Sequence, residues 1–156
     1  MRTIAFFAVT ALIAIASAAP APAPAAEFGS KNEAIAMVKR VQAEFKKAGP
    51  EATFKNVSDK AVEEFHDRDL YPFIFDMSGL CVAHGARAAL IGKNLIDLKD
   101  PDGKFLIREM VAIAKGPGSG WTDYKWPDPL TNKIEDKSSY VEKLGEYFVG
   151  VGVYKQ

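Results

Sequence analysis

Three short segments near the C-terminus constrain the fold most: SGWTDYKW (119–126), SSYVEKL (138–144) and EYFVGVGVY (146–154). Each is rich in aromatic or β-branched residues, and only PDPLTNK and the Gly145–Glu146 corner separate them. Strands joined by connections of hairpin length lie antiparallel. Further upstream, LYPFIFD (70–76) reads as another strand, Asp76–Gly79 as a turn, and LCVAH (80–84) as the returning strand. Pro72 suggests that this first strand starts at a sheet edge or a bulge.

Two helical patterns accompany the strands. Ser30–Glu33 has the form of a capping box, after which Ala34, Val38, Val41 and Phe45 recur at helical spacing. Gly49–Pro50 stops that helix, with a short helical piece to about Asn56 beyond it. A second helix is expected from about Asp102 to Lys115, its stripe of Leu106, Met110 and Ile113 widened by Ile107, Val111 and Ala114. Helix, strand, strand, helix, strand, strand, strand is an α+β order with an antiparallel sheet of five strands.

Residues 1–26 are excluded from that fold. One basic residue, Arg2, precedes an apolar run from Ile4 to about Ile15, and small residues and an Ala/Pro leader follow, the layout of a secretory signal peptide. The run falls short of the roughly 20 residues of a membrane-spanning helix, the alternative reading being an uncleaved anchor. Residues 27–156 then form one domain. Cleavage takes one base and no acid, leaving 19 Lys and Arg against 20 Asp and Glu. That balance gives no footprint for nucleic acid or an anionic membrane surface. Cys81 is the single cysteine, so no internal disulfide forms and the core alone must hold the domain together.

Known catalytic and cofactor motifs are missing. The sequence has no glycine-rich phosphate loop, no HExxH and no GxSxG, and no cofactor or metal is expected. Cys81 and His84 form a CxxH, too few ligands for a metal, and alternation along a strand places them on opposite faces. DPDGKFLIRE puts Asp100, Asp102, Gly103 and Glu109 at calcium-loop spacing, but Leu98 falls on the first ligand position. A turn and an acidic N-cap for the second helix explain it more simply. On 119–126, Thr122, Tyr124 and Trp126 share one strand face, while Trp121, Asp123 and Lys125 share the other. The surrounding acids Asp123, Asp128, Glu135 and Asp136 argue against a nucleic-acid platform. An aromatic face belongs to the core or to the wall of a small-molecule pocket.

Taken in order, LYPFIFDMSGLCVAHG, LIGKNLIDLKDPDGKFLIREM and GWTDYKWPDPLTNKIEDKSSYVEKLGEYFVGVGVY resemble the single Cache domain, the small-ligand sensor of bacterial chemoreceptors and sensor kinases. The resemblance covers about residues 30–156. It implies a PAS-like antiparallel sheet of about five strands, with a long N-terminal helix along it and one helix inserted between strands 2 and 3. It also implies a pocket on one sheet face for a small organic molecule, commonly a carboxylate. Lys137, matching the family's KxSY lysine and placed just before a strand, is the first choice for the carboxylate contact, the alternative being a solvated turn lysine. Tyr140 would donate its hydroxyl, Trp126 and Tyr124 would wall the site, and His84 would supply a neutral donor or else cap the core. Phe73 and Phe75 would form the floor or the sheet core, and Gly150 and Gly152 would leave room for a ligand or a packed helix.

The resulting expectation is a non-enzymatic periplasmic or secreted binding domain that acts in signal transduction through a separate membrane-bound partner. The alternative is a ligand-free interaction module docked on such a partner. Lys39, Arg40, Glu44, Lys46 and Lys47 narrow the apolar stripe of the first helix, which favours a monomer or a weak homodimer.

Overall fold

The computed structural model describes residues 28–155; the signal peptide and leader expected at 1–26 lie outside the described residues. The first helix, α1 (Lys31–Ser58), opens on the expected capping box. Ser30 Oγ accepts the Glu33 amide, and the Glu33 carboxylate accepts the Ser30 amide at 2.7 Å. The Ser30 hydroxyl, donating to that carboxylate at 2.7 Å, together with the Ser30 amide and the Arg68 guanidinium 2.6 Å away, holds the Glu33 carboxyl down at about 2. Gly49 takes φ 80°, outside the helical region, and Pro50 restarts the helix, so α1 is two pieces meeting at the expected break. Ala34, Met37, Val38 and Val41 are fully buried. Each such aliphatic side chain larger than Ala contributes about 1.5–3 kcal/mol on burial.

Five strands follow: β1 (Pro72–Asp76), β2 (Cys81–His84), β3 (Ser119–Pro127), β4 (Ile134–Leu144) and β5 (Tyr147–Tyr154). They form one antiparallel sheet in the order β2-β1-β5-β4-β3. The chain runs inward from the edge strand β3 through β4 to lay β5 beside β1, so the last strand is central. That position explains VGVGVY. Val149, Val151 and Val153 join the core beneath α1, while Phe148 faces the opposite cluster. Gly150 and Gly152 alternate on that second face with Phe148.

Pro72 is not on an edge strand: β1 is paired on both sides, and the proline occupies its first position. The irregularity is a bulge in β2, where Phe75 pairs with Cys81 but Ile74 with Ala83. One extra residue resets the side-chain alternation, so Cys81 and His84 both face the side of Phe73 and Phe75. The expectation of opposite faces is thereby corrected.

The second helix, α2 (Leu106–Lys115), covers that side with Leu106, Ile107, Met110, Val111 and Ala114. It starts four residues later than expected. Asp100 Oδ1 accepts the amides of Asp102 and Lys104 at 3.0 and 2.9 Å, closing a turn that excludes DPDG from the helix. Phe105 is the N-cap residue and makes no side-chain cap bond, so there is no acidic cap. No helix among the described residues is long and apolar enough to cross a membrane.

Candidate ligand site

Between the sheet and α2 lies an aromatic cavity. Phe73 and Phe75 form its floor, Leu106, Ile107 and Met110 its roof, Tyr124 and Trp126 one wall, and Tyr71 and His84 its polar end. Leu90 and Leu95, from the loop that follows β2, complete it. Its free volume is small, about 20 Å³. Space of that order holds one or two waters.

His84 is fixed by the backbone around it. Its Nδ1 accepts the amides of Ala86 and Arg87 at 3.2 and 3.1 Å, which leaves the neutral ring's proton on Nε2. The ring packs against Tyr71 and Phe73, with centroids 5.3 and 6.2 Å away. Burial, reinforced by Lys137 and Arg87, pushes its protonation down to about 3. The imidazole is therefore a neutral hydrogen-bond donor at any physiological pH.

Lys137 lies inside β4, not before it, because the strand begins at Ile134. Strand geometry then commits its side chain to one face, and it is 1% exposed. Nζ donates to the Tyr71 hydroxyl at 2.8 Å and the Tyr154 hydroxyl at 3.3 Å, and lies 4.1 Å from the centroid of the Tyr71 ring. No carboxylate is within ion-pair distance of it among the described residues. Lys137 stands one layer behind the cavity, with Tyr71 between. Gly150 and Gly152 make this packing possible. A Cβ on Gly152 would come within 2.2 Å of Lys137 Cε, and one on Gly150 within 2.3 Å of the Phe73 ring. The room they leave is taken by these two side chains.

Of the seven residues singled out by sequence, six converge here: Lys137, Trp126, Tyr124, His84, Phe73 and Phe75. Tyr140 does not. Three positions along the unbroken strand β4 from Lys137, it points to the α1 side, where its ring packs 5.5 Å from Trp121 and its hydroxyl donates to Glu142. The tyrosines beside Lys137 are Tyr71 and Tyr154. Alternation places Tyr71 on the face of Phe73 and Phe75, and Tyr154 on the face of Gly150 and Gly152; that signal was present in the sequence. Tyr124 bonds Ser139 at 2.8 Å, and burial raises both its phenol and that of Tyr154 well above the usual range. Cys81 donates to the Ala83 carbonyl, and burial pushes its thiol up to about 12, so it is not a nucleophile at neutral pH.

An antiparallel sheet with a helix on each face, enclosing an aromatic cavity with a neutral donor at one end and a buried lysine behind it, defines a PAS-like ligand-sensor domain. The chain belongs to the Cache domain family, whose model matches residues 30–156. It is 37% identical over 118 residues to the sensor histidine kinase MctS of Rhizobium johnstonii, covering 73% of this chain and 25% of the kinase. The match thus spans about a quarter of that relative's length. Among solved structures, a methyl-accepting chemotaxis protein from Vibrio parahaemolyticus is similar at 28% identity and TM-score 0.68, with 80% of this chain and 87% of that one covered. A Cache chemosensory domain solved to explain carboxylic acid recognition is similar at 26% identity and TM-score 0.64, with 80% and 88% covered.

Proposed function

We propose that this chain is a non-enzymatic sensor domain that binds a small organic carboxylate outside the cytoplasm and reports occupancy to a separate signalling partner. The observation that carries this reading is Lys137: a fully buried amine bonded to two tyrosine hydroxyls, with no carboxylate within ion-pair distance among the described residues. An ammonium removed from water without a direct ion-pair partner is costly, and a ligand carboxylate offsets that cost. Rotation of Tyr71 opens the layer between Lys137 and the cavity. His84 Nε2–H then serves as a further donor, the Tyr154 hydroxyl staying on the Pro127 carbonyl, while the apolar floor and roof take a short carbon chain. The likeness to a Cache domain studied for carboxylic acid recognition supports the same ligand class. So small a cavity selects short monocarboxylates over bulky or doubly charged ones.

The same small volume favours a second reading, an interaction module whose cavity stays closed. A thermal-shift and calorimetric screen of the purified protein separates the two. Acetate and propionate are expected to raise the melting temperature in a concentration-dependent way, while succinate, alanine and ethylamine are not. No shift with any carboxylate, from a folded protein, overturns the sensor reading in favour of the module.

A further inference from the structure

Two carboxylates are buried about as deeply as Lys137. Asp69 is 0% exposed and Asp128 2%. Asp69 sits in the tight Asp67–Leu70 turn, two residues before Tyr71. Its Oδ1 accepts the Gly29 amide at 2.6 Å, which anchors the segment entering α1. Its Oδ2 is buried and receives no hydrogen bond. Asp128 lies in the β3–β4 turn and accepts the Leu130 amide at 2.8 Å.

The charged groups that act on Asp69 are few. Lys137 on β4 attracts a negative charge there, and Asp128 opposes one. Arg68, its neighbour in the turn, directs its guanidinium to Asp67, Glu33 and the Phe28 carbonyl. His66, on the preceding segment, has both ring nitrogens against the Val62 and Gly85 carbonyls. Lys137, Asp69 and Asp128 are the deeply buried charged groups here; Asp100, Asp123, Asp136, Lys104, Lys125 and Lys155 line a second pocket that Lys137 also borders, and Arg87 lies over the Trp126 ring. A ligand carboxylate delivered to Lys137 adds a further negative charge to a region of low dielectric, where like charges repel far more strongly than in water. The least costly relief is a proton on the carboxylate oxygen that has no donor, and that oxygen is Asp69 Oδ2.

We propose that Asp69 is a specificity-determining residue of the carboxylate site, admitting the ligand ion only together with a proton that comes from solvent and is held on Asp69 Oδ2. This rests on the carboxylate reading of the cavity. Binding of the ion takes up a proton, so affinity rises as the pH falls. The burial of Asp69, which already raises its carboxyl above the usual range, favours the same protonation. Ligands that bring no net negative charge gain nothing from the proton, and for them the site has no such preference.

The test is calorimetric titration of acetate and propionate into the intact protein at pH 5.5 and pH 8.0, in two buffers of unlike ionisation enthalpy at each pH. Both ligands are largely ionised across that range. The expected result is a Kd at least about tenfold lower at pH 5.5, with net proton uptake on binding, as linkage requires. Asp69→Asn keeps an acceptor for Gly29 and cannot ionise; in it the pH dependence and the proton uptake are expected to vanish. Binding of equal strength at both pH values without proton uptake overturns the role of Asp69 and leaves the carboxylate reading standing. The same holds if the full pH dependence persists in Asp69→Asn. Absence of acetate and propionate binding at either pH overturns the carboxylate reading and this proposal with it. If Asp69→Asn does not fold, proton uptake by the wild-type protein decides alone.

Discussion

Lys137 concentrates the chemistry of this molecule. A lysine with its Nζ over two tyrosine rings and against their hydroxyls is a donor held ready at the cost of desolvation. Lys137→Met keeps the length and fills the volume while removing the charge. Replacing a buried charge by an apolar side chain of like volume is often neutral or stabilising, so the melting temperature should hold within a few degrees. Carboxylate affinity should fall about 10- to 100-fold, the value of a hydrogen bond to a charged group. Paired melting curves and calorimetric titrations of both proteins check this; unchanged affinity in the methionine variant removes Lys137 from the site. His84 complements it at the same polar end, and its tautomer is set by two backbone amides, so no side-chain partner is needed to present Nε2–H.

At the scale of elements, β5 is the organising strand. It is paired on both edges, and its two faces serve different cores. The valines give one face shape, and the glycines give the other face space for Phe73 and Lys137. Gly150→Ala drives a methyl group into the Phe73 ring and should destabilise the fold by about 1–3 kcal/mol, the usual cost of overpacking. Denaturant unfolding measures it, and a change below about 0.5 kcal/mol would show that the ring moves aside freely. The bulge in β2 acts at the same scale. One inserted residue turns His84 onto the face where Cys81 already lies, and without it the polar end of the cavity loses its neutral donor.

Across the whole molecule, stability is linked to pH through groups buried in the interior. His84 is protonated only near 3 in the folded chain, against about 6.5 in an unfolded one. Between those values the unfolded chain binds the extra proton, so this residue's contribution to stability is complete above about pH 6.5 and is lost as the pH falls toward 3. Its slope is at most about 1.4 kcal/mol per pH unit. Asp69 runs the other way: its raised folded value adds stability as the pH falls toward the unfolded carboxyl value. The His84 contribution is therefore read as the difference between wild type and His84→Asn, whose side-chain oxygen replaces Nδ1 as acceptor. Denaturant unfolding from pH 7 to pH 4 should show a shallower loss in the variant; parallel curves would mean that His84 is not the linked group.

The sequence by itself determined the element order, the antiparallel pairing, the capping box, the break at Gly49–Pro50 and the class of fold. Those features follow from local periodicity, turn chemistry and hairpin-length connections, which act over a few residues. It also singled out five residues that line the cavity and Lys137 behind it, because alternation and motif spacing place aromatic and basic side chains on predictable faces. The tertiary structure alone decided the rest. Which strand lies in the centre depends on β5 returning beside β1, a contact between distant parts of the chain. The bulge that redirects His84 is a property of pairing, visible only against Phe73 and Phe75. Tyr140 was misplaced by the KxSY match, although alternation from Lys137 would have excluded it. The unpaired carboxylate oxygen of Asp69 had no local signal at all, since burial and missing partners are properties of packing between elements.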